Sequence, residues 1–265
     1  MDVTSLLKDH YSGDDLAARV LAAVRAPAAQ SVDASWVDLA GIDNLHAGGL
    51  PATRYLLSAL DLSARSRLVD VGCGIGGTAR CAAADHRCQV LGVDLSEDFV
   101  RAAAVLTERC GLDDLATFAT NPGDLSPIDD ETFDRATLVH VGMNVPDKAA
   151  LFAEVRRVLV AGGRFGLYEQ MRVGDGDVAY PLPWAADQRS SFVTTVDDYV
   201  DSLLGAGFTI DLVQNRTAES AGGPPLSGPG PEVVFGPEFV TRIANNVAAT
   251  RAGVLGAVVI IASRT

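Results

Sequence analysis

The feature that most constrains this chain is the stretch Leu68–Thr78, LVDVGCGIGGT. An apolar, β-branched run (Leu68, Val69, Val71) reads as a strand and breaks off at Gly72, Gly74, Gly76 and Gly77. The Ala-rich Thr78–His86 that follows reads as a helix. Strand, glycine-rich turn and helix form the leading edge of a doubly wound parallel sheet, which takes a ligand across the carboxyl ends of its strands. Without Cβ atoms the turn is sharp and a bound molecule reaches contact distance. An empty turn would carry the entropic cost of those glycines for nothing.

The alternation continues downstream. Further strands are expected at Gln89–Val93, Ala116–Ala119, Arg135–Val139, Arg164–Tyr168, Phe208–Val213 and Val254–Ala262, giving an α/β, mostly parallel, seven-stranded sheet. Helices are expected at Ser96–Cys110 (with Ser96 as N-cap), Lys148–Leu159, Thr194–Leu204 and around Glu238–Ala249. Ala161-Gly162-Gly163 reads as the turn before the fifth strand. Residues 1–61 are helical in pattern, with Leu16, Val20, Leu21 and Val24 on one stripe and Pro51 opening a helix to Leu60. They precede the first strand and are expected to form a helical cap over the ligand. The α/β domain then spans 62–265, with lid insertions near 170–191 and 218–253.

A net charge of −13 lacks the basic footprint that nucleic acid requires, and disfavours a polyanionic substrate or an acidic membrane surface. A small neutral or cationic substrate suits it better. The four cysteines (Cys73, Cys81, Cys88, Cys110) show no C-x-x-C spacing and read as buried thiols of a reducing compartment. No secretory pattern opens the chain, and Val254–Ala262 is too short to span a bilayer, so a cytoplasmic location is expected. No cluster has metal-ligand spacing, and the oligomeric state, monomer or homodimer, is left open.

Two cofactors fit the glycines. Gly72, Gly74 and Gly77 satisfy G-x-G-x-x-G, with Asp94 at the distance of a ribose-binding acid, as for a nicotinamide dinucleotide. Asp70, Gly72, Gly74 and Gly76 equally satisfy D-x-G-x-G-x-G, the pattern that resembles the first motif of the class I S-adenosylmethionine (SAM) methyltransferases. The later segments decide in favour of the second. VLGVDLS (Val90–Ser96) is similar to that family's ribose-binding strand end, and GDLSPIDDETFD (Gly123–Asp134) to its adenine loop. LFAEVRRVLVAGGRF (Leu151–Phe165) resembles its helix and L-x-P-G-G turn, with valine-alanine for lysine-proline. HVGMN (His140–Asn144) and PLPWA (Pro181–Ala185) resemble a subgroup acting on small molecules. The resemblance implies a Rossmann-like fold, SAM as cofactor, and methyl transfer to O, N or C of a small-molecule acceptor. A SAM-binding protein of non-methylating activity, an isomerase or cyclase, remains the second reading.

The resemblance also implies roles. Asp94 would accept hydrogen bonds from the ribose hydroxyls, or else serve as a charge at a helix N-terminus. Asp124 would accept from the adenine amino group, with Leu95 and Leu125 sandwiching the ring. Gly72, Gly74 and Gly76 would admit the amino-acid end, and Asp70 would favour its ammonium. Tyr11 and Tyr168 would close the methionine end or the acceptor pocket, or else be core tyrosines. Methyl transfer needs position first and a base second. His140, at the end of the fourth strand, and His46, in the turn after the cap, are the candidate bases. Asn144, Glu169 and Gln170 are expected at loop edges facing the acceptor. Trp184, in the rigid YPLPW insert, is expected to pack with Trp36 and wall the acceptor pocket.

Overall fold

The computed structural model describes residues 16–25, 35–44, 46–221 and 229–265. Tyr11 lies outside them. The strands are β1 (Arg67–Val71), β2 (Gln89–Asp94), β3 (Ala116–Thr120), β4 (Phe133–Val139), β5 (Leu159–Arg172), β6 (Phe208–Asn215) and β7 (Leu255–Arg264). They form a single sheet in the order β3-β2-β1-β4-β5-β7-β6. The first five run parallel, and β7 lies antiparallel between β5 and β6. β7 is buried over its first eight residues because strands flank both edges and side chains cover both faces. That is why LGAVVIIA carries no polar alternation.

The helices are α1 (Leu16–Arg25), α2 (Ala40–Asp43), α3 (Gly49–Ala59), α4 (Gly77–His86), α5 (Glu97–Arg109), α6 (Lys148–Val158), α7 (Val196–Gly205), α8 (Thr217–Ala221), α9 (Glu232–Phe235) and α10 (Phe239–Arg251). Ser96 caps α5 by accepting from the Phe99 amide, and Glu97 and Asp98 complement the positive end of the dipole. One face of the sheet packs Phe165, Leu167, Met171 and Ile260 against Phe152 and Val155 of α6 and Tyr199 and Leu203 of α7. The other face meets α3 and α4 through Leu56, Leu57, Leu60, Ala79 and Ala83. α1 packs on α5 and α9. No helix among the described residues is long and apolar enough to cross a membrane.

Three expectations need correction. β5 begins at Leu159, directly after α6, so Ala161-Gly162-Gly163 forms a bulge inside a long strand, where the pairing jumps from Phe133–Leu159 to Arg135–Arg164. β5 also continues through Glu169 and Gln170 to Arg172, so both side chains belong to the sheet and are buried. The insertion therefore begins after Arg172. Finally, Trp36 does not pack with Trp184. Its ring lies under the Arg54 guanidinium, 5.3 Å away, beside the cluster formed by α4, β1 and β2.

Candidate active site

The sheet places β2 and β4 on opposite sides of β1, which opens a crevice at the carboxyl ends of these strands. A cavity of about 300 Å³ occupies it, lined by the turns after β1, β2, β3 and β4, by the cap residues Asp43 and His46, and by Pro183, Trp184, Phe235 and Phe239. Gly72 has φ +72°, and a Cβ there would stand 2.3 Å from Val141 Cγ2. Gly74 has φ +53°, but a Cβ there would meet nothing within 4 Å. The first glycine lets two turns touch, and the second leaves open a cradle on the cavity wall.

Three carboxylates surround the cradle. Asp94 ends β2; its Oδ2 accepts from the Gly74 amide and its Oδ1 from the Ser96 amide, each at 2.9 Å. An ionised carboxylate has about four acceptor positions, so these amides and that of Leu95 leave room for a hydroxyl donor. Burial raises the Asp94 pKa, against the pull of those amides. Asp70, on β1, is 1% exposed; its Oδ1 accepts from Thr137 Oγ1 at 2.8 Å, while its buried Oδ2 has no partner. Burial pushes its pKa up to about 7. An ammonium donor against Oδ2 would restore the charged form. Asp43 accepts from the buried Arg80 guanidinium at 2.8 Å, which tethers the cap to α4.

Leu95 and Leu125 both line the cavity, Leu125 fully buried. Asp124 does not: it is exposed and accepts from the Ser126 amide. The polar group at that edge is Asn121, whose Oδ1 accepts from the Gly123 and Leu125 amides at 2.8 and 3.2 Å and folds the loop over the crevice. Gly76 stands behind the wall as the N-cap of α4. The donor set therefore fits SAM: a glycine cradle, an ionisable acid at the end of β2, two leucines, and an unpartnered carboxylate oxygen.

His140 and Asn144 also line the cavity. His140 adopts φ +54°, and its Nε2 is buried without a partner. Burial, and then the adjacent His46, hold its pKa well below the ordinary value. Its ring lies 5.5 Å from that of His46 and 5.6 Å from that of Tyr168. Tyr168 is buried behind the histidines and does not line the cavity. Glu169 does not line the cavity: its Oε1 accepts from the Val141 and Gly142 amides at 3.0 and 3.1 Å, bracing the turn that carries His140. Trp184 does line the cavity, on an insert tied to α10 by Arg242 donating to Leu182 O and Asn245 to Pro181 O, each at 2.9 Å.

Asp43, Asn121, Phe235 and Phe239 were not legible as site residues. Only tertiary contact brings them there, and they sit in no recognisable spacing.

Residues 69–167 match a family model described as a methyltransferase domain. A methyltransferase of Streptomyces halstedii, GfsG, is 32% identical over 132 residues, covering 50% of this chain and 48% of that protein. The phosphoethanolamine N-methyltransferase of Triticum aestivum is 30% identical over 176 residues, 64% of this chain and 33% of that one. The chain thus spans less than half the length of these relatives. Among solved structures, the geranyl diphosphate C-methyltransferase of Streptomyces coelicolor A3(2) superposes with a TM-score of 0.66 at 21% identity, over 81% of this chain and 79% of that one. The [4+2]-cyclase SpnF superposes with a TM-score of 0.67 at 22% identity, over 94% and 93%. The glycine motif, the strand order and the sequence match together identify residues 69–167 as a domain of the class I SAM-dependent methyltransferase family.

Proposed function

We propose that this protein is a SAM-dependent methyltransferase acting on a small, uncharged, largely apolar acceptor at O, N or C. The observation that carries the reading is one cavity lined both by a glycine-and-carboxylate cradle and by His140. SAM, when bound, supplies a methyl carbon on a sulfonium leaving group. The cradle orients that group, with Asp94 for the ribose hydroxyls and Asp70 for the ammonium. The aromatic and apolar wall of Phe99, Met143, Val145, Trp184, Phe235 and Phe239 takes the acceptor and excludes water. His140 is held neutral at pH 7, so one of its ring nitrogens keeps a lone pair that can receive the acceptor's proton.

The wall also argues about charge. No Lys or Arg lines the cavity among the described residues, and its ionisable carboxylates are Asp43, Asp70 and Asp94. A diphosphate or phosphomonoester acceptor, such as those named for two of the relatives above, would find no Lys or Arg on this wall to pair with.

Incubation with methyl-labelled SAM and a panel of phenols, amines, enolisable carbonyls and isoprenoid alcohols tests the reading. Label transfer to an uncharged acceptor, with none to geranyl diphosphate or phosphoethanolamine, is expected. Preferred transfer to the phosphorylated compounds would overturn the assignment of acceptor class. SAM binding with no transfer to any acceptor would favour the cyclase-like reading, which the 94% overlap with SpnF keeps in view.

A further inference from the structure

Lys148 is a buried cation that the methyl-transfer reading leaves without a task. It stands at the first position of α6, is 8% exposed, and lines no part of the cavity. A buried ammonium is tolerable only where its protons find acceptors. Here Nζ donates to the Val145 carbonyl at 3.1 Å and to the Phe192 carbonyl at 2.7 Å. It also lies 5.3 Å over the ring of Tyr199 on α7. Both acceptors are main-chain groups that no helix or strand ladder satisfies, and one ammonium serves the two together. The lysine therefore joins two stretches of backbone.

Those stretches are the turn after β4 and the returning end of the insert, residues 173–195. They are joined a second time, since the Phe192 amide donates to the Met143 carbonyl at 2.9 Å. Phe192 thus gives both its main-chain groups to the join. On the first side, Met143, Asn144 and Val145 line the cavity, a few residues beyond His140. On the second side, Ser191 precedes Phe192, and its Oγ accepts from Trp184 Nε1 at 2.9 Å. Trp184 lines the cavity too. One residue of backbone and one hydrogen bond separate the clasped carbonyl from the indole.

We propose that Lys148 is a positioning residue for the acceptor wall: by clasping Val145 and Phe192 it fixes Trp184 relative to the turn that carries His140. The effect on the acceptor rests on the methyl-transfer reading; the placing of Trp184 does not. The glycine-and-carboxylate cradle is built at the ends of β1 and β2 and has no part in the clasp. Loss of the clasp therefore acts on the acceptor and spares the cofactor.

Trp36 and Trp184 are the two tryptophans, so Trp36→Phe leaves Trp184 as the sole indole reporter and keeps an aromatic ring under Arg54. In that background Lys148→Met keeps an apolar stem and removes the donors. Its Trp184 emission is expected to shift to the red, and acrylamide quenching to rise about twofold, as the insert opens locally. KM for the best acceptor among the phenols, amines, enolisable carbonyls and isoprenoid alcohols should rise about tenfold, the scale of a lost hydrogen bond from a charged donor. The kcat and the SAM affinity should change by less than about threefold. Lys148→Arg, which also offers several protons, is expected to restore most of the quenching and KM. Unchanged emission and quenching in folded Lys148→Met would overturn the proposal. So would an equal loss of SAM affinity, the mark of a merely structural residue, or a loosened Trp184 with KM unmoved. Should Lys148→Met not fold, Lys148→Gln, one bond shorter and still polar, decides by the same readings. A loosened Trp184 with no methyl transfer even by the parent protein would count against the methyl-transfer reading alone.

Discussion

A histidine held at φ +54° stays there only when its surroundings over-determine it, since the left-handed region costs an L-residue about 1–2 kcal/mol. At His140 the bracing is explicit: its own amide donates to the Tyr168 carbonyl at 2.9 Å, and Glu169 holds the next two amides. The imidazole is thereby held at the end of β4, on the cavity wall. His140→Ala should lower turnover at least tenfold while leaving SAM affinity nearly unchanged. Asp94→Ala should chiefly weaken SAM, by roughly 10- to 150-fold, the range expected for losing hydrogen bonds of about 1.5–3 kcal/mol to a charged group. Calorimetry with SAM and steady-state rates on the same preparations separate the two roles; equal loss of both properties in both variants would contradict them. At this scale the sequence was most readable where backbone geometry is local. The glycines, Asp70 and Asp94 follow from a strand end and its turn. Asp124 was misread because five acids crowd Gly123–Asp134 without periodicity, and only the folded loop shows Asn121 turned to the crevice. Glu169 was misread because two further buried residues extend β5 past it, which sends its side chain toward α7 instead of a loop edge.

Among the elements, α4 ties the site together. Arg80, one turn into that helix, is fully buried and bonds the glycine turn, Asp43 of the cap and the α5 residues Ala103 and Thr107. Removing one partner of a buried ion pair strands the other without solvent, at a cost of about 3–5 kcal/mol. Arg80→Met should therefore lower unfolding stability by about that amount in a urea titration, while Arg54→Met, which breaks the exposed pair with Asp85, should cost under about 1 kcal/mol. Equal small losses would show that the cap is not anchored through this pair. The α/β alternation itself was plain in the hydrophobic periodicity. Packing of the cap and lids was not, because it depends on long-range contacts: Phe239 stacks on Phe235 at 4.4 Å, and Phe235 meets Phe99 edge-on at 6.3 Å, joining α10, α9 and α5.

Across the whole molecule, buried titratable groups give the free protein a defined pH response. Burial raises Asp70 to about 7 and Glu169 to about 8, so near neutrality the folded state holds protons that the unfolded chain has released. Stability therefore falls as pH rises through that range. His46 and His140 act in the opposite sense, but only below about pH 6.5, where the unfolded chain protonates its histidines. Between pH 6.5 and 8 the carboxyl effect stands alone. Urea midpoints of the free protein should decline across that window, and Glu169→Gln should flatten the decline; a rising midpoint would contradict the assignment. Bound SAM should oppose the Asp70 part of this loss by setting an ammonium against the unpartnered oxygen.

The most direct test of the central claim is a crystal structure with S-adenosylhomocysteine. The account predicts ribose hydroxyls on the Asp94 carboxylate, the amino-acid end over Gly72 and Gly74, and the sulfur turned toward His140. A product molecule bound outside this crevice, or an Asp94 carboxylate left solely to the Gly74 and Ser96 amides, would contradict it.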